Sequence, residues 1–202
     1  ISISTTGFTI SGSTAVNYSL IQPTLSANIT VATPNVIPTV ESYIYSGLVG
    51  GPNSATNTGT GTSYTFSYVG TGGTTYAASS TRPINAGTYT VTATVAADGN
   101  YESASSNATA FTIEKATTTT TVIVNGAPFV YTGSAQTPAT VSVTGAGGLS
   151  LTPTAVYSNN TNAGTATASY SYAGDSNYLS SSDSADFTIG KAASSMASNN
   201  TT

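Results

Sequence analysis

The chain has 202 residues, a net charge of −4 and a pI near 4.1, and only 5% of its residues are charged, against roughly 25% in an average soluble domain. Its basic residues, Arg82, Lys115 and Lys191, lie far apart, so nothing here offers the clustered cations that nucleic acid asks for. Cysteine and histidine are absent, which removes disulfides, thiol chemistry and the commonest general base, and no apolar run approaches the ~20 residues of a spanning helix.

Residues 1–31 read as the last strands of a β unit. Ile1 and Ile3 alternate with Ser2 and Ser4, and Leu25, Ala27, Ile29 and Val31 share one parity, as a half-buried strand requires. No secretory signal pattern opens the chain, and Ile1 falls inside a strand-like pattern, so the chain reads as a piece of something longer. Residues 32–116 form a first full unit. Residues 47–62 are a loop rich in Gly, Asn, Thr and Ser. Tyr64, Phe66 and Tyr68 alternate with Thr65 and Ser67, a pattern that favours the core over an aromatic platform for sugar. Gly70-Thr71-Gly72-Gly73 is a turn. Residues 88–96 are the cleanest strand, with Tyr89, Val91, Ala93 and Val95 on one face and Thr88, Thr90, Thr92 and Thr94 on the other. Phe111 and Ile113 share one face of the unit's last strand.

Residues 117–192 form a second unit, in which Val141 and Val143 precede the turn 145–148. Ala166, Ala168, Tyr170 and Tyr172 match the Tyr89 face, and Phe187 and Ile189 match Phe111 and Ile113. Residues 193–202 are a linker or the start of a further repeat. The Y-x-G triplets stand 86 residues apart (45 to 131), the glycine turns 75 (70 to 145), the N-A-G triplets 77 (85 to 162) and the phenylalanines 76 (111 to 187). This register places an insertion of 86 − 75 = 11 residues within 48–63, on the surface, as a spacer or ligand loop. Periods near 80 suit a tandem array of small domains. Abundant β-branched residues, frequent Gly and Pro, and short strands indicate an all-β fold of sandwich type.

Asn85-Ala86-Gly87-Thr88-Tyr89-Thr90-Val91 resembles the immunoglobulin strand signature D-x-G-x-Y-x-C. The resemblance makes Tyr89 a tyrosine corner, with its hydroxyl bonded back to the turn. Ala166 takes that position in the second unit, which leaves Tyr170 or Tyr172 to fill the space. The succession of Y-x-G, G-x-G-G, N-A-G-T-Y-T-V, G-D-x-N-Y and F-T-I-x-K-A is similar to the MBG-type bacterial immunoglobulin-like repeat. It is carried by residues 131–133, 145–148, 85–91, 174–178 and 187–192. Residues 15–25 resemble the end of a related YDG-type repeat. Asn85, Gly87, Tyr89, Phe111 and Phe187 would be its structural residues. The resemblance implies tandem immunoglobulin-like β-sandwich repeats in a linear array within a large secreted adhesin at the cell surface. Gliding Bacteroidota carry such mobile adhesins, exported by the type IX system.

Sites are scarce. The acids are Glu41, Asp98, Glu102, Glu114, Asp175, Asp183 and Asp186. They form no constellation of acid, base and nucleophile, so no enzyme and no resident cofactor are expected. Asp98, Asn100, Asp175 and Asn177 carry oxygens that calcium accepts, but fewer than the six to eight of a cage; Asx turns account for them more simply. Lys115 and Lys191 read as solvated linker lysines rather than as self-formed Lys–Asn crosslinks. Asp183-Ser184-Ala185 resembles a Bacteroidota O-glycosylation motif, with Ser184 as acceptor on a surface loop.

The expected function is a structural stalk, whose partners are neighbouring repeats of the same long chain, a secretion or motility machinery, and an external surface or glycan reached through another region. The alternatives are a glycan- or surface-binding module, which deletion of the 48–63 loop would expose, and a self-assembling filament subunit whose edges pair between chains.

Overall fold

Alternation of apolar and hydroxyl residues decides the architecture. The computed structural model describes residues 2–3 (backbone only), 7–23 and 25–195. The fold is all-β and sandwich-like, and helical geometry among the described residues is confined to the short 3-10 turns Ala15–Asn17 and Ala146–Gly148. The strand Gly87–Val95 occupies the centre of one sheet. It pairs antiparallel with Thr109–Glu114, placing Tyr89 opposite Phe111, and with Tyr64–Thr71, placing Val91 opposite Tyr68. Tyr43–Ile44 extends the sheet, parallel to Thr109–Glu114. A two-stranded sheet, Val36–Pro38 with Ala55–Asn57, covers one face. Tyr89, Val91, Ala93 and Val95 are buried between the layers, and their alternating threonines stay partly or wholly in solvent.

The later strands pair in a similar pattern. Gly164–Tyr172 pairs antiparallel with Ser181–Gly190 and Val156–Ser158, and Phe129–Val130 runs parallel to Ser181–Gly190. A three-stranded sheet of Thr118–Val124, Ala139–Gly145 and Leu149–Leu151 packs against it. A polar seam joins the layers. Asp183 accepts from the Val122 amide at 2.7 Å, and Ser181 bonds the hydroxyls of Thr118 and Thr120, each at 2.7 Å. The Asp183 bond occupies a backbone amide of Thr118–Val124 that a bare sheet edge would leave unpaired.

Register shows which residues correspond. Tyr43 lies opposite Ile113 as Phe129 lies opposite Ile189. The Tyr45 amide donates to the Glu114 carbonyl (2.8 Å) as that of Tyr131 donates to Gly190 (2.9 Å); Gly50 donates to Pro83 (2.7 Å) as Gln136 does to Asn160 (2.8 Å). Tyr68 opposite Val91 matches Tyr157 opposite Ala168.

These pairings correct the expected insertion. The stretch 48–63 is not a spacer: it contains the strand Ala55–Asn57. The buried Pro52 carbonyl accepts from the Tyr68 hydroxyl, and Gly51 lies so close that a Cβ there would come 2.8 Å from the Phe111 ring. The turn matching 145–148 is 59–61, because Gly59 packs on Tyr101 as Gly145 packs on Tyr178. Tyr68 and Tyr157 are 89 residues apart, and Gly87 and Gly164 are 77 apart, so the extra 89 − 77 = 12 residues lie between Tyr68 and Gly87. Glycine turns look alike in composition, and a strand of Ala, Thr and Asn carries no bulky residue to betray it.

The early segment also departs from expectation. Only Leu25–Ser26 is strand within 25–31, paired with Ser2–Ile3. Leu25 is 47% exposed, Ile29 78% and Val31 46%, because the described residues provide no second layer against that face. The alternation expected at Ile1 and Ser4 and the tail 196–202 lie outside the described residues.

Candidate functional site

The most constructed site in the molecule is the junction where residues 32–116 meet residues 117–192. Ile113, buried in the first core, leads to the linker, and Ala116 is already fixed in the second half. Ala116 forms a parallel bridge with Tyr178. Its amide donates to the Asn177 carbonyl and its carbonyl accepts from Leu179, both at 2.9 Å. One residue, Lys115, therefore lies between the strand Thr109–Glu114 and the bridge at Ala116. The exposed Lys115 ammonium donates to the Asp175 carbonyl at 2.6 Å, so this linker lysine is both solvated and bonded across the junction.

An Asx turn prepares the contact. The Asp175 carboxylate accepts from the amides of Asn177 (2.7 Å) and Tyr178 (3.0 Å), which turns the Asn177 side chain toward the first half. There its Oδ1 accepts from the Ala86 amide at 2.9 Å, and its Nδ2 donates to Asn85 Oδ1 at 3.3 Å. The Asn85 carbonyl in turn accepts from the Tyr89 hydroxyl at 2.8 Å. The corner that shapes the N-A-G turn thus also presents it to Asn177.

Two more contacts complete the junction. The Tyr45 and Tyr178 rings meet edge to face, with centroids 5.2 Å apart, and the Tyr178 hydroxyl donates to the Ala146 carbonyl at 2.6 Å. Burial first, and then the neighbouring Tyr45, push the Tyr178 phenol above its ordinary value. Gly47 and Gly147 meet backbone to backbone, and a Cβ on Gly47 would lie 2.8 Å from the Gly147 Cα. Both glycines have positive φ, +77° and +66°, so space and backbone conformation both select glycine.

The other candidates are dispersed. Asp98 accepts from the amides of Asn100 and Tyr101, both at 2.9 Å, and from the Thr60 hydroxyl at 2.6 Å. The Thr60 bond, followed by the Asn100 amide, holds the Asp98 carboxyl below its ordinary value. Asp98 and Asp175 thus occupy equivalent turns, and Asn177 serves the junction. Among the described residues no three His, Cys, Asp or Glu side chains gather as a metal group. Asp186 accepts from Thr167 at 2.7 Å, and Glu102 from Thr33 at 3.3 Å. Ser184 is exposed, but it lies in the middle of the regular strand Ser181–Gly190 rather than on a loop.

The aromatic core differs between the halves. Phe111 meets Tyr43, Tyr68 and Tyr89, whereas Phe187 meets Phe129 and Tyr157. No ring takes the place of Tyr89 beside Ala166. Tyr170 packs elsewhere on that core, and the Tyr172 hydroxyl donates to Asp175 at 3.3 Å.

The junction residues are Tyr45, Gly47, Asn85, Gly147, Asn177 and Tyr178. All of them stood out in the sequence as repeat markers, but nothing in one copy of a motif says which other motif it touches. No protein-family model, no curated protein and no solved structure matches the chain.

Proposed function

We propose that the chain is a structural stalk segment, built of immunoglobulin-like β-sandwich repeats in series, from a large adhesin at the cell surface. It holds a binding tip away from the cell and passes pulling force along its sheets. The observation that carries this reading is the interlocked junction. A linker of one residue, a bridge at Ala116 and the Asn177 clamp oppose bending. The order of motifs similar to MBG-type repeats supports placement in a secreted adhesin of the kind gliding bacteria export through the type IX system. The surface chemistry fits as well: hydroxyl-bearing faces with few charges leave little for salt to screen.

Small-angle scattering on the whole chain tests the reading. The expected result is an elongated particle whose maximum dimension is independent of concentration and unchanged by EDTA. Asn177→Ala is expected to broaden the distance distribution without lowering the thermal midpoint of either half. A compact particle would sink the serial reading. Growth with concentration would favour a filament subunit, the reading that the exposed Leu25, Ile29 and Val31 support.

A further inference from the structure

We infer that the far end of the second half, formed by Tyr131, Gly133, Asn162 and Ala163, is a docking face for another β unit carrying a D-x-N-Y turn. This rests on the serial reading above and names the partner chemistry that the next junction requires.

The face reproduces the surface that receives Asn177 except for the tyrosine corner, since Ala166 stands where Tyr89 holds the Asn85 carbonyl. Tyr131 stands where Tyr45 stands, its amide on the final strand through the Gly190 carbonyl. Gly133 has φ +81° where Gly47 has +77°. The loop between them is held by the Gln136–Asn160 backbone bond, as the first is by Gly50–Pro83. Asn162 and Ala163 precede Gly164 as Asn85 and Ala86 precede Gly87, and Gly164 pairs with Ile189 as Gly87 does with Ile113. The backbone bonds at Gly190 and Asn160 and the Gly164–Ile189 pair fix the backbone of this face in advance, which lowers the ordering entropy that opposes docking.

Exposure separates the two faces. Tyr45, Gly47 and Ala86, which touch Tyr178, Gly147 and Asn177, are half-buried, whereas Tyr131, Gly133 and Ala163 are exposed. A Cβ on Gly133 would meet only the Tyr131 hydroxyl, at 3.9 Å, where one on Gly47 meets the Gly147 backbone. A shallow apolar depression lined by Tyr131, Ala163, Lys191 and Ala192 opens beside them. The chain itself shows what fits: an Asx turn presenting one asparagine amide to the N-A peptide, a tyrosine ring edge-on to Tyr131, and a glycine turn able to approach Gly133.

The experiment appends a second copy of residues 117–195 directly after Ala192, recreating the Lys-Ala-Thr junction, and reads amide hydrogen exchange by NMR. In the 202-residue chain the Ala86 amide is expected to be protected and that of Ala163 to exchange freely. In the extended chain Ala163 should slow by roughly tenfold, as closing one hydrogen bond from solvent would give. Asn177→Ala in the appended copy alone should abolish that slowing and leave Ala86 protected. The inference is overturned if Ala163 stays fast while the appended copy's core amides and Ala86 are protected; the serial reading then survives. Slowing that persists in the Asn177→Ala variant overturns the proposed clamp. Free exchange at Ala86 in the original chain overturns the first junction, and with it both readings.

Discussion

Tyr89 does two jobs through one side chain. Its ring stacks on Phe111 at 5.4 Å and meets Tyr76 edge-on at 5.8 Å, while its hydroxyl holds the Asn85 carbonyl. Tyr89→Phe keeps the ring and orphans that carbonyl, so urea unfolding should show a loss of about 0.5–1.5 kcal/mol. Slackening of the N-A-G turn should also speed exchange of the Ala86 amide. Asp98 offers a test by pH. The Thr60 hydroxyl and the Asn100 amide favour its charged form, so its folded value lies below the ordinary ~3.9. Its stabilising contribution is present above that ordinary value and disappears as pH falls through the depressed one. An NMR titration should find Asp98 low, and Thr60→Val should return it toward the ordinary carboxylate value.

Strands with alternating bulk were legible in the sequence, because burial of one face leaves a period of two. That covers Tyr64–Thr71, Gly87–Val95 and Thr109–Glu114. Ala55–Asn57 was not legible, since it packs by closeness rather than bulk. The misplacement of the insertion followed: two glycine turns compete for one match, and only pairing distinguishes 59–61 from 70–73. The added hairpin has a consequence for the core, because it delivers Tyr76 onto Tyr89; the second half lacks both the hairpin and the ring, having Ala166. Gly51 shows how tightly the supposed loop is woven in. Gly51→Ala demands a φ of +101° and a Cβ 2.8 Å from Phe111, so it should cost more than about 1 kcal/mol in urea. Gly99→Ala, with nothing within 4 Å, should leave the midpoint nearly unchanged. The junction was legible only as motifs. Asn177 lies 92 residues from Asn85, and no local pattern encodes a contact at that distance.

At the scale of the molecule, the proposed stalk role requires the two halves to act as one mechanical line, and the linker absorbed into structure on both sides suits that role. Lys115 adds a bond to Asp175 without needing a carboxylate partner, so salt should affect the junction little. The parallel pairing of Phe129–Val130 with Ser181–Gly190 gives this line a direction. Force entering at residue 117 and leaving at residue 192 pulls these neighbours past each other along their length. Their hydrogen bonds then bear the load together, as rungs loaded sideways. Tension applied instead between Gly164 and Gly190 would open the antiparallel pair Gly164–Tyr172 and Ser181–Gly190 from one end, bond after bond. Single-molecule stretching through the two attachment geometries should therefore give a higher rupture force for the first. On the stalk reading, the same fold would be a tether along its axis and a zipper across it.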